Sequence, residues 1–341
     1  AETITTIASG LNHPWSLAFL PDGRTLVTER NGRLNIIAAG QKPQAISGVP
    51  AVYERSQGGL FDVLLHPKFA DNHLIYLSYA AGDASANFTR IARARLDGNR
   101  LVDVRTIFQA SPAKATPVHY GGRMVFLPDG TLVMTVGDGF DYREQAQRLE
   151  SGLGKLIRIR DDGSIPADNP FVNRPGAQKS IWSYGHRNEQ GLALDAATGR
   201  LYEQEHGPQG GDEINVIVKG GNYGWPVATF GRDYSGASIS PFQTYPGMID
   251  SIWHWTPSIA PSGLAVYRGR LWPAWQGDLI VGALKDQEVL RLDLDAQGRV
   301  LGQHRIFPTI KVRVRDVRVA PDGAVWLTTD EDSGKVLRVT P

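Results

Sequence analysis

The 341-residue chain contains no cysteine. This absence excludes disulfide bonds, thiolate metal sites and cysteine nucleophiles. No apolar run approaches the roughly 18 residues that a membrane-spanning helix needs, so we expect no membrane insertion. An excess of one charge is also missing, because 36 Lys and Arg stand against 35 Asp and Glu. The balanced charge argues against nucleic acid as a partner.

Turn-forming residues, in contrast, are abundant, with 38 Gly and 21 Pro. Around the Pro-Asp-Gly tripeptides one pattern recurs, in which a strand, a turn and a second strand follow one another. The six copies cover residues 17–37, 63–79, 124–138, 191–216, 263–294 and 317–339. Strand-only repeats at a spacing of about 57 residues are typical of propellers. The sequence therefore predicts an all-β fold, a six-bladed β-propeller.

The two ends of the chain predict how the ring closes. A strand pattern begins near Ile4, and the last one ends at Thr340. An N-terminal strand that completes the last blade hides two sheet edges. We therefore expect ring closure by the N-terminal strand and a single domain over residues 1–341. Within each repeat, apolar and polar residues alternate, as in strands with one buried face.

The first residue is Ala1 and not Met. A chain from which a signal peptide has been cut begins in this way. Together with the absence of cysteine, this favours an exported, periplasmic protein.

A histidine and an aspartate stand at the ends of two neighbouring predicted strands. His119 lies in the phrase PVHYGGR, and Asp138 lies in GDG. If the two meet at one rim, the carboxylate fixes the imidazole tautomer and raises its basicity, as a general base requires. Two turn residues in unrelated loops are the alternative.

Two further groups of side chains suit a charged or carbonyl-bearing ligand. Arg187 and Asn188 stand side by side and are suited to binding a carboxylate or polarising a carbonyl oxygen. Alternation places Arg313 and Arg315 on one face of a strand, and Lys285 comes from the preceding repeat. Such a trio suits a ligand with several carboxylates. Solvated turns and faces are the ordinary alternative for both groups.

A glycine-rich segment suggests a cation site. Around Gly207 and Pro208 the chain exposes backbone carbonyls, and Asp212 and Glu213 add carboxylate oxygens. Hard oxygen ligands of this kind suit Ca²⁺. The spacing does not match an EF-hand, and an acidic turn is the alternative.

Four phrases, taken in order, resemble the soluble quinoprotein glucose dehydrogenase family. They are HYGGR with the later GD (residues 119–138), GHRNEQG (185–191), HGPQGGDEIN (206–215) and NYGWP (222–226). The match is closest to the shorter branch of that family, the soluble aldose sugar dehydrogenases. One departure is Val118, where the glucose-oxidising branch carries an acid. The resemblance implies a six-bladed propeller that holds pyrroloquinoline quinone (PQQ) and Ca²⁺ over its channel.

The resemblance also implies a role for each matching position. The implied catalytic residues are His119 as general base, Asp138 as its orienting partner and Arg187. The implied PQQ contacts are Gln57, His119, Arg187, Asn188, Lys285, Arg313 and Arg315. The implied Ca²⁺ ligands are Gly207 and Pro208 beside the quinone, with Glu213 and Tyr223 at a second, structural ion.

The implied activity is oxidation of the anomeric carbon of aldose sugars to lactones, by hydride transfer to PQQ with Ca²⁺ assisting. Mono- and disaccharide aldoses are the expected substrates, the electron acceptor is unidentified, and the protein is expected to be a monomer. Two alternatives remain open. A non-catalytic propeller that binds other proteins predicts loss of His119 or of the cationic trio. A Ca²⁺-dependent propeller lactonase predicts a ring of acidic and amide side chains around an ion in the channel.

Overall fold

The computed structural model describes residues 1–234 and 238–341. Within these ranges, strands are grouped into six antiparallel sheets of four strands each. The predicted all-β, six-bladed propeller is therefore confirmed. Short helices are present at α1 (Phe69–Asn72) and at two 3₁₀ turns, Arg143–Gln147 and Pro273–Trp275. None of the helices in the described residues is long and apolar enough to cross a membrane.

The chain begins with β1 (Thr3–Leu11), which joins the last blade. The first blade consists of β2 (Pro14–Phe19), β3 (Thr25–Glu29), β4 (Leu34–Ile37) and β5 (Gln44–Ala45). The second consists of β6 (Leu60–Leu65), β7 (Leu74–Gly82), β8 (Asn87–Asp97) and β9 (Arg100–Gln109). The third consists of β10 (Gly121–Phe126), β11 (Leu132–Val136), β12 (Lys155–Ile159) and β13 (Ile181–Tyr184).

The fourth blade consists of β14 (Asn188–Leu194), β15 (Leu201–His206), β16 (Asp212–Ile217) and β17 (Trp253–Trp255). The fifth consists of β18 (Pro261–Val266), β19 (Leu279–Ala283), β20 (Glu288–Leu294) and β21 (Val300–Ile306). The sixth consists of β22 (Val314–Val319), β23 (Val325–Thr329), β24 (Gly334–Thr340) and β1. In each blade the strand named first is innermost, and these innermost strands contact one another around the channel.

Strand β1 closes the ring by pairing antiparallel with β24, from Thr3 opposite Thr340 to Leu11 opposite Gly334. Its buried residues, among them Ile7 and Leu11, pack against β2, β3 and β4 of the first blade. The last blade is thus completed by the start of the chain, as the sequence predicts. This pairing leaves neither β1 nor β24 without a partner along the seam.

The middle strands are buried on both faces, and not on one face as the alternating pattern suggests. In β3, Leu26 packs toward the second blade, whereas the next residue, Val27, packs toward the sixth. The reason is that each blade lies between two neighbouring blades. Apolar clusters of this kind fill all six interfaces between blades.

The channel itself is held by buried ion pairs between inner strands. Arg123 on β10 contacts Asp316 on β22 at 2.8 Å. Arg318 bridges Asp316 at 2.8 Å and Asp62 on β6 at 2.9 Å. Ser16 on β2 donates to the same Asp62 carboxylate at 2.5 Å. These contacts tie four of the blades together at the axis.

We expect Leu11→Ala to lower the free energy of unfolding by about 2–5 kcal/mol, because it opens a cavity at the seam that closes the ring. Leu11 is 3% exposed. Urea unfolding followed by circular dichroism measures the change. The matched control is Thr5→Ala, an exposed position on the same strand, which should change stability by at most about 0.5 kcal/mol. Equal effects of the two variants would contradict the closing role of β1.

Candidate functional site

The predicted site residues come from distant repeats but meet at one end of the channel. The inner strands begin at this rim and the second strands end there, because the strands of each blade are antiparallel. His119 precedes β10, Asp138 follows β11 and Lys285 follows β19. The strand directions of the propeller therefore account for the convergence.

Two adjoining cavities of about 670 and 280 Å³ occupy this rim and share lining residues, including Gln57, Asn188 and His206. The predicted residues that line the larger one are Gln57, His119, Arg187, Asn188, Gly207, Pro208 and Lys285. Those that line the smaller one are Gln57, Asn188, Arg313 and Arg315. The structure thus brings nine of the predicted residues to one continuous surface, with Asp138 behind His119.

His119 and Asp138 form a buried pair in which His119 Nδ1 lies 2.7 Å from Asp138 Oδ1. Asp138 also accepts the backbone N–H of Phe140 at 2.9 Å and the indole N–H of Trp225 at 2.8 Å. An ionised carboxylate only accepts hydrogen bonds, so Nδ1 carries the proton of the neutral ring. The lone pair of the imidazole is therefore on Nε2.

Burial lowers the pKa of His119 below its ordinary value of 6.5, and the opposing effect of Asp138 is smaller. The carboxylate thus raises the basicity of the ring, as the sequence suggests, but burial and the charges of Arg187 and Lys114 leave the pKa of His119 below its ordinary value. Burial by itself would raise the pKa of Asp138, but His119 and Arg187 keep it below its ordinary value. At neutral pH the pair thus consists of a neutral imidazole and a charged carboxylate, and the histidine is ready to accept a proton.

Hydrogen bonds hold both the backbone and the guanidinium of Arg187. Its backbone N–H donates to Glu205 at 2.7 Å, and its Nη1 donates to the carbonyl oxygens of His206 and Gly207 at 3.1 and 2.9 Å. The guanidinium also lies over the Trp225 ring, 5.4 Å from its centre. The Gly207 carbonyl, a predicted Ca²⁺ ligand, thus has one of its two lone pairs engaged and one remaining.

Asp212 accepts hydrogen bonds with both of its carboxylate oxygens. Its Oδ1 accepts the Gly207 N–H at 2.7 Å, and its Oδ2 accepts the N–H groups of Ile259 and Ala260, each at 2.9 Å. Ser258 also donates to Oδ2. Its carboxylate thus fastens the segment that presents the Gly207 and Pro208 carbonyls. The expectation that Asp212 supplies an oxygen to Ca²⁺ stays a prediction.

The cationic trio (Lys285, Arg313 and Arg315) lies around the two cavities, and Asp330 neutralises part of its charge. Arg315 Nη2 lies 3.1 Å from Asp330, and Arg313 Nη2 lies 3.5 Å from the same carboxylate. Arg315 also donates to Gln190 at 2.8 Å, whereas its buried Nε has no partner among the described residues. Lys285 is exposed on the wall of the larger cavity. A net positive surface with one unsatisfied donor suits an anionic ligand.

Glu213 and Tyr223 lie outside the two cavities. The Tyr223 hydroxyl donates to the Val216 carbonyl at 2.6 Å and accepts the Val218 N–H at 2.8 Å. The hydroxyl is therefore committed to the backbone, which leaves the carbonyl of Tyr223 as the atom available to an ion. Glu213 lies opposite Glu205 in the β15–β16 ladder.

Sequence reasoning missed three residues of this rim. Trp225 orients Asp138, His206 lines both cavities, and Asp330 accepts from two arginines and from His13 at 2.7 Å. Burial lowers the pKa of His206 to about 4. Asp330 follows the second strand of its blade as Asp138 does, so alignment of the repeats with one another gives a signal for it.

Comparison with known proteins gives consistent similarities. The family model described as Glucose / Sorbosone dehydrogenase matches residues 11–338. Aldose sugar dehydrogenase YliI of Escherichia coli K12 is 43% identical over 345 residues, covering 99% of this chain and 92% of that protein. The crystal structure of the soluble aldose sugar dehydrogenase from Escherichia coli in the apo-form has a TM-score of 0.96 at 41% identity, covering all of both chains. The PQQ-bound aldose sugar dehydrogenase of Streptomyces coelicolor has a TM-score of 0.80 at 31% identity, covering 99% of this chain and 98% of that one.

We expect the ring of His119 to titrate below 6.5 in nuclear magnetic resonance spectra, because burial disfavours the imidazolium. Asp138→Asn should lower this pKa further, since the charge that supports the imidazolium is removed. The control is Asp332→Asn, an exposed carboxylate beside a different histidine, His13. A pKa for His119 above 6.5, or no change in Asp138→Asn, would contradict the described electrostatics.

Proposed function

The chain belongs to the glucose/sorbosone dehydrogenase family, and from this membership we propose that it oxidises the anomeric carbon of aldose sugars to lactones as a PQQ-dependent, Ca²⁺-assisted enzyme. The observation that carries the proposal is the combination of a neutral, buried histidine base with a cationic surface in one cavity. The named relatives that act on aldose sugars, and the PQQ-bound structure of one of them, support it.

The residues around the cavity fit the cofactor. PQQ carries three carboxylates, and Lys285, Arg313 and Arg315 supply three cations at the cavity walls, with the Arg315 Nε still without a partner among the described residues. The carbonyls of Gly207 and Pro208 would hold Ca²⁺, which prefers oxygen ligands. When bound, PQQ supplies the acceptor for the hydride of C1, and Ca²⁺ supplies Lewis acidity.

A Cβ at position 207 has no room, because it would overlap the Gly210 carbonyl and lie 2.6 Å from the Gly211 carbonyl carbon. Glycine therefore allows the tight turn that brings the two carbonyls to the cavity wall. The turn is then locked by Asp212, as its hydrogen bond to the Gly207 N–H shows. The cation-binding edge is thus preorganised by the backbone.

In this proposal His119 Nε2 removes the proton of the anomeric hydroxyl. The positive charge that develops on the ring is stabilised by Asp138, whose own position is fixed by Trp225 and by the Phe140 N–H. Because His119, Arg187 and the Phe140 N–H hold the pKa of Asp138 below its ordinary value despite its burial, it stays ionised and does not compete for the proton. A general base of this kind contributes about 10²–10⁴ in rate.

Arg187 supplies a fixed positive charge on the same cavity wall. Its guanidinium is held by two backbone carbonyls and by the Trp225 face. A preorganised cation of this kind stabilises negative charge without reorganisation during the reaction. Asn188 follows directly and adds an amide to the same wall.

The structure disfavours the lactonase alternative for a specific reason. A propeller lactonase needs free acidic side chains around an ion in the channel, but Asp62 and Asp316 are both paired with arginines there. The binding-module alternative leaves the hydrogen-bonded His119–Asp138 pair and the cationic trio without a use. The oxidoreductase proposal uses both.

We expect His119→Ala to retain PQQ binding, because the other six implied contacts remain, and to lower the turnover of aldose oxidation by about 10²–10⁴, because the proton acceptor is lost. Dye-linked steady-state kinetics and PQQ titration separate the two effects. The control is His304→Ala, an exposed histidine on the outer strand β21. Near-normal turnover of the His119 variant would remove this residue from the mechanism.

We also expect exhaustive chelation and removal of the cofactor to abolish aldose oxidation. Activity should return only when PQQ and a divalent cation are added together. The Gly207 and Pro208 carbonyls would hold the cation, whereas the cationic trio would hold the carboxylates of PQQ. Absorbance spectra recorded before and after addition of an aldose follow reduction of the bound cofactor. Sugar oxidation that persists without PQQ would contradict the proposed function.

A further inference from the structure

The face of the fourth blade that packs against the third carries an unusual number of buried acids. Glu189, Glu205 and Glu213 occupy directly opposed positions on β14, β15 and β16, and Glu203 lies two residues from Glu205 on the same face. Glu189 and Glu203 are 0% exposed, and Glu205 is 2% exposed. Like charges directly opposite one another destabilise a sheet, so the arrangement requires a compensating partner.

Three of the side chains that meet on this face each direct one atom toward a common point. His186 Nδ1 lies 2.9 Å from Glu205 Oε1 and 3.8 Å from Glu203 Oε2. These three atoms all lie within 4.8 Å of one another. They supply one imidazole nitrogen and two carboxylate oxygens, a mixed donor set that suits a small divalent transition ion.

In each of these three side chains, the polar atom that does not face the common point is hydrogen-bonded to a separate partner. Ser183 Oγ lies 2.8 Å from His186 Nε2, the Arg187 N–H donates to Glu205 Oε2 at 2.7 Å, and Asn215 donates to Glu203 Oε1 at 2.9 Å. Metal-binding histidines and carboxylates are typically oriented by such outer hydrogen bonds. Without an ion, Nδ1 donates to Glu205 Oε1, because a carboxylate only accepts hydrogen bonds. When an ion binds, the ring proton would move to Nε2 and donate to Ser183 Oγ, so that Nδ1 presents its lone pair to the ion.

Two of the buried glutamates keep carboxylate oxygens without a hydrogen-bond donor. Among the described residues, nothing donates a hydrogen bond to Glu203 Oε2 or to either oxygen of Glu189. The nearby cation Lys155 directs its Nζ to the carbonyls of Gln145 and Leu153, and burial lowers its pKa to about 7. Unpaired buried carboxylates cost several kcal/mol unless a charge or a proton compensates them.

We propose that His186, Glu203 and Glu205 bind a structural, zinc-like divalent cation between the third and fourth blades. The site is separate from the carbonyl edge at Gly207, because its ligands are buried side chains on the face of the sheet. Calcium favours six to eight oxygens and waters, whereas these three buried ligands with an imidazole suit a smaller ion.

The ion would also stabilise the rim of the channel, where the two cavities lie. Glu205 holds the backbone N–H of Arg187, and Arg187 and Asn188 begin β14 at the wall of the larger cavity. A cation that fixes Glu205 therefore fixes the start of this strand. Loss of the ion should loosen Arg187 without removing any residue from the cavity.

The test uses untagged full-length protein, chelated and then dialysed against Zn²⁺ alone. We expect mass spectrometry of the metal content to find about one tightly held zinc per chain. Glu203→Gln, which keeps the side-chain shape, should lose this zinc and the rise in melting temperature that zinc gives. Cobalt added to the chelated wild-type protein should give visible d–d absorption bands that are missing in Glu203→Gln.

The matched control is Glu29→Gln. Glu29 is a buried glutamate of the first blade whose two oxygens already accept from Asn12 and Asn35 at 2.7 and 2.8 Å. This variant should retain zinc and the cobalt bands even if it is less stable. Wild-type protein that binds no zinc after dialysis would overturn the proposal, and shared protons would then neutralise the cluster. Equal zinc content in wild type and a folded Glu203→Gln variant would overturn it as well.

Discussion

The contact between Arg123 and Asp316 across the channel is the interaction on which the site geometry depends. Both side chains are almost fully buried, at 3% and 1% exposure, and they join the third blade to the sixth. Burial lowers the pKa of Arg123 to about 10, so the guanidinium still carries its charge at neutral pH. Removing one member of a buried pair leaves an uncompensated charge and costs about 3–5 kcal/mol. This cost makes the relative position of the two blades hard to change.

The same guanidinium connects the core to the cavity. Arg123 also donates to the carbonyl of Arg315 at 2.7 Å and to that of Gln190 at 2.8 Å. Arg315 lines the smaller cavity, and His119 stands four residues before Arg123 at the entrance of the same strand. The distances between His119 and the cationic wall are therefore set at the axis, by groups outside the proposed chemistry. A rigid scaffold of this kind keeps catalytic groups at productive distances.

The fold could be predicted from the sequence because the Pro-Asp-Gly turns and the strand alternation repeat along the chain, and strand direction then fixes the rim. The details of the site could not be predicted in the same way. Asp212 has the residue type of a metal ligand, but which N–H groups surround a carboxylate depends on loop conformation. The pKa of His119 depends on burial, which the sequence near it does not show. Asp330 was missed because its partners, His13 and Arg315, lie far away along the chain.

Among the buried acids of the fourth blade, Glu205 makes contacts that matter both for the cavity and for the packing between blades. Glu205 accepts the Arg187 N–H with one oxygen and hydrogen-bonds His186 with the other, so it supports a residue of the cavity wall and also lies at the interface between blades. An apolar residue there would remove the like-charge repulsion with Glu189 and Glu203, but it would leave the Arg187 N–H buried without an acceptor. Glu205 therefore holds the start of β14, and protons or a cation have to compensate the buried carboxylates around it. Buried charged residues in place of apolar ones are expected next to a site, because the site residues constrain the packing around them.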